Sequence, residues 1–388
     1  MRVLITNTEE LERFCESAAM QDYVTVDTEF LRERTYFSKL CLVQIGYPGL
    51  SNDQIALIDP LAKGISLLPL KKLFENKEVT KVFHAARQDL EIFWHDLNVF
   101  PEPFFDTQIA AMVCGFGDQV GYETLVRRVA KGQMDKSSRF TDWSQRPLSR
   151  KQLDYAANDV TYLREIYEKL CEQITQDDRM TWVQEEMETL LNPALYDISP
   201  QKAWQRVRLR NTTGRSLLAV MKLAEFRERY AQTKNIPRAR VYKDDALIEL
   251  ASTRPLSQTE LGKSRLLNRE ARNGDIASGI LKAVEDTVAV SNEDLPKIPK
   301  PKVAQSGHEA AADLLRVLLK AVSEREKVAS KLIATAADLE AIARGDADVL
   351  ALRGWRKAVF GDAALKILSG DTALRVKKGR VELIELID

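Results

Sequence analysis

The sequence predicts a mixed α/β domain over its first half and helical segments over its second. Three observations carry that prediction. Runs of β-branched and apolar residues alternate with helical periodicities up to about residue 195, helix breakers at short intervals take over beyond Ser199, and the charge changes sign at the same place.

Residues 23–30 (YVTVDTEF) and 40–45 (LCLVQI) have the composition of strands. Residues 54–58 (QIALI), ended by Asp59-Pro60, and 79–83 (VTKVF) add two more. Helical patterns lie between them, as at 90–97 and 124–130, so the expected core is a central sheet with helices on its faces. Ser199-Pro200 then reads as a helix start, a hydroxyl cap followed by proline in the first turn. Short helices follow, broken at Thr213-Gly214, Asn235-Ile236-Pro237, Arg254-Pro255 and Asn273-Gly274. Residues 291–307 hold three prolines and little apolar content, a linker composition, and helical spacing returns with Ala311, Ala312, Leu314, Leu315, Leu318 and Leu319. The expected division is 1–198, 199–290, a linker at 291–307, and 308–388, the two C-terminal pieces being similar enough in length to be two copies of one fold.

At 388 residues the chain has room for two or three domains, and 45% hydrophobic with 29% charged residues is ordinary for a soluble protein. The first residues, MRVLITNTEELERF, lack a signal-peptide pattern, and no apolar run approaches the roughly 18 residues that span a bilayer. Cys15, Cys41, Cys114 and Cys171 form no Cys-x-x-Cys pair, which argues against a zinc site or disulfides, predicts no disulfide-linked partner, and fits a reducing cytoplasm. With only His84, His95 and His308 present, a metal site would be built from carboxylates.

The 57 basic and 57 acidic residues cancel, but not evenly along the chain. Residues 1–200 carry 22 basic and 32 acidic side chains, whereas residues 201–243 carry 12 basic and two acidic. A charge run is commonly a solvated face, yet one this lopsided is better explained by contact with phosphates. Lys202, Arg206 and Arg210 follow a four-residue step that would place them on one helix face, continued by Arg215 and Lys222.

Asp27 and Glu29 are two apart in an apolar strand and so share a face. Two anions there are costly unless something neutralises them, and a hard divalent cation is one answer; a strand end that has reached solvent is the other. Asp89 stands near a helix start, where acids are common for dipole reasons. Tyr155 and Asp159 are four apart on a helical pattern and project from one face, as they also would on any amphipathic helix.

Taken together, Asp27-x-Glu29, Asp89 and Tyr155-x-x-x-Asp159 match the three motifs of the DEDD exonucleases in their tyrosine form. The surrounding words are similar to the ribonuclease D family: Asp27-Thr28-Glu29-Phe30 with Arg34-Thr35-Tyr36, Leu42-Val43-Gln44-Ile45, His84-Ala85-Ala86 before Asp89-Leu90-Glu91, and Asp106-Thr107-Gln108. So are Thr141-Asp142-Trp143 with Arg146-Pro147-Leu148, and Tyr155-Ala156-Ala157 before Asp159. Phe37-Ser38 and Met134 depart from the common pattern without touching a carboxylate. Residues 225–228, 235–238 and 244–255 resemble a helicase-and-RNase-D C-terminal (HRDC) domain, with 308–388 a more diverged second copy.

The resemblance implies a ribonuclease-H-like exonuclease domain followed by two all-α helical bundles. It implies hydrolysis of RNA from a single-stranded 3′ end, releasing 5′-mononucleotides, with precursor tRNA as the expected substrate and a monomer favoured. Two divalent ions, Mg²⁺ or Mn²⁺, would be held by Asp27, Glu29, Asp89 and Asp159, with Asp27 bridging both. One ion would activate the attacking water and the other stabilise the leaving 3′ oxygen, while Tyr155, a weak base at neutral pH, would orient the water. Less specific candidates for substrate contact are Phe30, Gln44, His84, Arg139 and Trp143, each with a packing role as the alternative. A DNA exonuclease would use the same carboxylates, and a catalytically silent RNA-binding adaptor would not need the intact set.

Overall fold

The computed structural model describes residues 3–49, 54–135, 137–138, 141–209, 212–297 and 308–386. In chain order the first half runs β1 (Val3–Ile5), α1 (Thr8–Ala18), β2 (Tyr23–Leu31), β3 (Lys39–Gly46), β4 (Ile55–Ile58), α2 (Leu68–Glu75), β5 (Thr80–Phe83), α3 (Arg87–Leu97), β6 (Phe104–Asp106), α4 (Thr107–Val113), α5 (Tyr122–Leu125), α6 (Arg150–Gln176) and α7 (Met180–Leu190). The six strands form one sheet in the order β1-β4-β3-β2-β5-β6. β2 is antiparallel to β3 and parallel to β5, so the sheet is mixed as expected, with the short edge strands β1 and β6 added to the four legible in sequence.

Strand alternation decides what each face receives. Val24, Val26, Val43 and Ile45 join one core with Leu11 of α1, Leu73 of α2 and Phe93 of α3. Leu42 and Leu57 face the other way and meet Ala156, Ala157 and Val160 of α6. Gly46 permits that close crossing, since a Cβ there would stand 2.9 Å from Thr25 Oγ1 and 3.5 Å from Val160. The Thr25 hydroxyl lies 2.9 Å from the Val160 carbonyl and locks helix to strand. α6 itself starts cleanly, because Ser149 and Gln152 form a reciprocal capping box.

The second half comprises α8 (Gly214–Lys234), α9 (Arg238–Val241), α10 (Asp244–Thr253), α11 (Gln258–Leu261) and α12 (Gly274–Val288). After it come α13 (Glu309–Glu326), α14 (Ser330–Ile333), α15 (Ala336–Ala343), α16 (Gly354–Arg356) and α17 (Asp362–Ser369). Of the segment 291–307, residues 298–307 lie outside the described residues. The chain then ends in a hairpin, β7 (Thr372–Lys377) and β8 (Arg380–Glu385), an addition to the all-helical expectation for this segment. Lys378 and Gly379 turn it, both with positive φ (49° and 77°), which is the backbone of a tight two-residue hairpin loop.

Both helical parts are fastened to the first domain. Tyr36, in the β2–β3 connection, donates its hydroxyl to the buried carboxylate of Glu228 on α8, and Asn235 Oδ1 accepts the backbone N–H groups of Tyr36 and Phe37, each at 3.0 Å. On the other side Trp182 of α7 stacks on Trp355 at 4.6 Å, and the Arg356 guanidinium bonds Glu186. Among the described residues no helix is long and apolar enough to cross a membrane.

Candidate active site

β2 delivers Asp27 and Glu29 to the α6 side of the sheet, and α6 returns Asp159 over them. Carboxylate oxygens of the three lie within 4.8 Å of one another. Asp89 reaches the same cavity from the first turn of α3, accepting the Thr28 hydroxyl. The turn before α3 is unusual: Ala85 has φ 57°, a conformation that non-glycine residues seldom take. Asp106 holds it there, accepting the N–H groups of Ala85 (3.0 Å) and Ala86 (2.9 Å) while capping α4 through Gln108 N at 2.7 Å. Tyr155 lines the cavity one helical turn from Asp159.

The cavity is about 600 Å³, open on one side, and suited to a nucleotide. Phe30, His84, Tyr122, Met134 and Leu163 line it together with the carboxylates. Burial, and then the neighbouring Asp159, pushes the Asp27 carboxyl well above the usual range. Asp89 is raised in the same way by burial and then by Asp27. Such a site holds its charge poorly by itself. An all-oxygen set of clustered carboxylates is the donor chemistry of a hard divalent cation, and the residues fit one.

Several expectations need adjustment. Trp143 is 2% exposed, packed beside Tyr155 with ring centroids 6.1 Å apart, so it braces Tyr155 and offers substrate no face. Gln44 is fully buried opposite Asp27 and does not line the cavity. His84 does line it, with Nδ1 3.0 Å from Thr107 Oγ1, and burial lowers its pKa, keeping the ring neutral. Phe30 lines it just beyond a register shift after Glu29.

Lys202 and Arg206 do not share a helix face, because residues Pro200–Arg206 form a 3₁₀ helix whose side chains repeat every three residues. Arg206 pairs with Glu228 at 3.2 Å. Arg215 caps the end of α12, donating to the carbonyls of Thr287 (2.8 Å), Val288 (3.1 Å) and Val290 (2.8 Å). Lys222 sits half-buried on α8. Arg139 and Arg210 lie outside the described residues.

Three contributors escaped sequence reading. Asp106 was visible only as a word in a motif, although an Asp before an apolar helical run signals an N-cap. Tyr122 donates its hydroxyl to the backbone carbonyl of Asp159, and nothing in its local pattern marks it. Arg146 clamps the loop before α6 to the sheet through Asp59, with Nε–Oδ2 and Nη2–Oδ1 both 2.7 Å, and through the Cys41 carbonyl at 2.7 Å.

A mixed sheet whose central strand presents Asp-x-Glu to a helix bearing Tyr-x-x-x-Asp, with a further Asp on the adjoining helix, defines a 3′→5′ exonuclease of the DEDD class. The family model described as "3'-5' exonuclease" matches residues 3–175, and the HRDC domain model matches 218–284. Ribonuclease D of Jannaschia sp. (strain CCS1) is 56% identical over 382 residues, covering 98% of this chain and 99% of that protein. Ribonuclease D of Nitrobacter hamburgensis is 47% identical over 98% of this chain and 99% of its own length. The crystal structure of Escherichia coli RNase D, an exoribonuclease involved in structured RNA processing, superposes with a TM-score of 0.83 at 28% identity, covering 95% of this chain and 99% of that one. The chain belongs to the ribonuclease D family. It is a hydrolytic 3′→5′ exoribonuclease that uses a divalent metal.

Proposed function

We propose that Asp27, Glu29, Asp89 and Asp159 hold two divalent ions, Mg²⁺ or Mn²⁺, and that the substrate is the single-stranded 3′ end of a precursor tRNA. The convergence of three carboxylates within 4.8 Å beside a nucleotide-sized cavity supports this reading most directly. When bound, the two ions supply activation of the attacking water and neutralisation of the departing 3′ oxygen. Asp27, which clusters with Glu29 and Asp159 and is also close enough to Asp89 to raise its pKa, is the residue suited to serve both ions. Tyr155 positions the water with its hydroxyl, and Trp143 behind the ring holds it in one rotamer. Phe30 and Tyr122 flank the terminal nucleotide, and the neutral His84 ring adds a wall that brings no competing charge.

The division proposed is an exonuclease domain at 1–198, an HRDC-like domain at 199–290, a linker at 291–307 and a diverged second copy at 308–388. Element order supports the last point: each part has a long helix ended by a left-handed residue (Asn235, Lys327), then a four-residue helix, a medium helix, and further on a helix opened by a positive-φ glycine (Gly274 of α12, Gly354 of α16). The four free cysteines fit the reducing cytoplasm, and a monomer is the proposed state. The test is mononucleotide release from matched 3′-tailed RNA and DNA in Mg²⁺. Release from RNA is expected, and preferential cleavage of DNA, or none of either, defeats the reading.

A further inference from the structure

Gln44 lies on β3 directly opposite Asp27 on β2. Residues facing each other across an antiparallel pair project to the same side of the sheet, with Cβ atoms about 4.5–5.5 Å apart. The Gln44 side chain is fully buried, and neither its Oε1 nor its Nε2 has a hydrogen-bond partner among the described residues. An amide left in that state destabilises the fold, and its register neighbour on β4, Leu57, offers only methyl groups. A leucine, like Leu42 two residues earlier, would pack there at no polar cost.

We propose that Gln44 is a positioning residue whose Nε2–H group donates to the Asp27 carboxylate once that carboxylate holds metal. The inference rests on the proposed metal site. Carboxylates that ligate metals are oriented by donors behind them, and Asp27 otherwise draws one from the backbone of Thr28. The other end of the amide has a complement as well. Trp143, whose buried Nε1–H also lacks a partner among the described residues, belongs to the same apolar layer as Leu42 and as Leu57, the β4 residue in register with Gln44.

The experiment is a Mn²⁺ and Mg²⁺ titration of the full chain, read by calorimetry and by melting temperature, for wild type, Gln44→Met and Gln44→Leu. Both variants remove the donor and keep an apolar side chain of similar bulk, so either serves if the other fails to fold. Melting in EDTA should stay at or above the wild-type temperature, while half-saturation by Mn²⁺ moves up 10- to 100-fold, the usual effect of losing a donor behind a ligand. A midpoint within twofold of wild type overturns the inference, as does a fall in the EDTA melting temperature with an unchanged midpoint, which marks a packing role only. If wild type itself gains no stability from either metal, the metal-site reading fails first and the role of Gln44 falls with it.

Discussion

Asp27 is held by β2 where burial and two neighbouring carboxylates all oppose its charge, and that strain is the chemistry of the site at the scale of one residue. Asn keeps the shape and removes the charge, so Asp27→Asn should relieve the repulsion and lose the ligand together. We expect Asp27→Asn and Asp159→Asn each to lower mononucleotide release by on the order of 1000-fold, with RNA binding retained in a filter or anisotropy assay. In thermal melts with EDTA the same variants should match or exceed wild type, while the stabilisation wild type gains from Mg²⁺ disappears. Near-wild-type turnover would remove the carboxylates from the mechanism. These residues were legible in sequence because a charge pair in an apolar strand violates a local rule, and such violations concentrate at functional sites. Tyr122 was not legible as a contributor, and Gln44 was legible only as a candidate for substrate contact, which its full burial rules out. A tyrosine and a glutamine are unremarkable in isolation, and their importance comes from what lies across a strand or beneath a helix.

At the scale of elements, the loop leading into α6 shows why sequence left the role of Trp143 open and gave none to Arg146. Both stand in a polar stretch that reads as surface, yet Trp143 is buried and Arg146 is tied to Asp59, whose side chain is 6% exposed. Although burial works against it, the hydrogen bonds and charge of Arg146 hold the Asp59 carboxyl below its ordinary range. Removing the guanidinium leaves a buried carboxylate without its partner, so Arg146→Ala should cost about 3 kcal/mol at neutral pH, measured by urea unfolding. The pH sign follows from the depressed pKa. The pair contributes stability above the unfolded value near ~3.9 and loses it as pH falls through the folded value. Wild type should therefore lose stability more steeply than Arg146→Ala on acidification below about pH 4. Parallel curves would mean that the clamp is not what supports α6. The four inner strands of this domain were readable, unlike the short edge strands β1 and β6; nor was the 3₁₀ character of Pro200–Arg206, because it depends on packing against α8 rather than on local periodicity.

Across the whole molecule, the segregation of charge separates two uses of cations that sequence cannot tell apart. Arg206 and Arg238 pair with Glu228, Arg227 with Asp244 and Arg229 with Glu225, and Arg215 caps a helix, so much of the basic stretch at 201–243 holds the helical domain together. Lys202, Arg208, Arg240 and Lys243 are instead exposed, with no ion pair among the described residues, and remain available to phosphates. Each phosphate contact to a single strand contributes about 0.7 to the slope of log affinity against log salt. Replacing Lys202 and Lys243 by alanine should thus flatten the slope for a single-stranded RNA by about 1.4 while leaving the melting temperature unchanged. Arg215→Ala should do the reverse, keeping the slope and lowering the melting temperature, because its bonds to the α12 carbonyls are lost. An Arg215 variant that changed the slope as the lysine variants do would return that residue to the RNA-binding surface and make the capping geometry incidental.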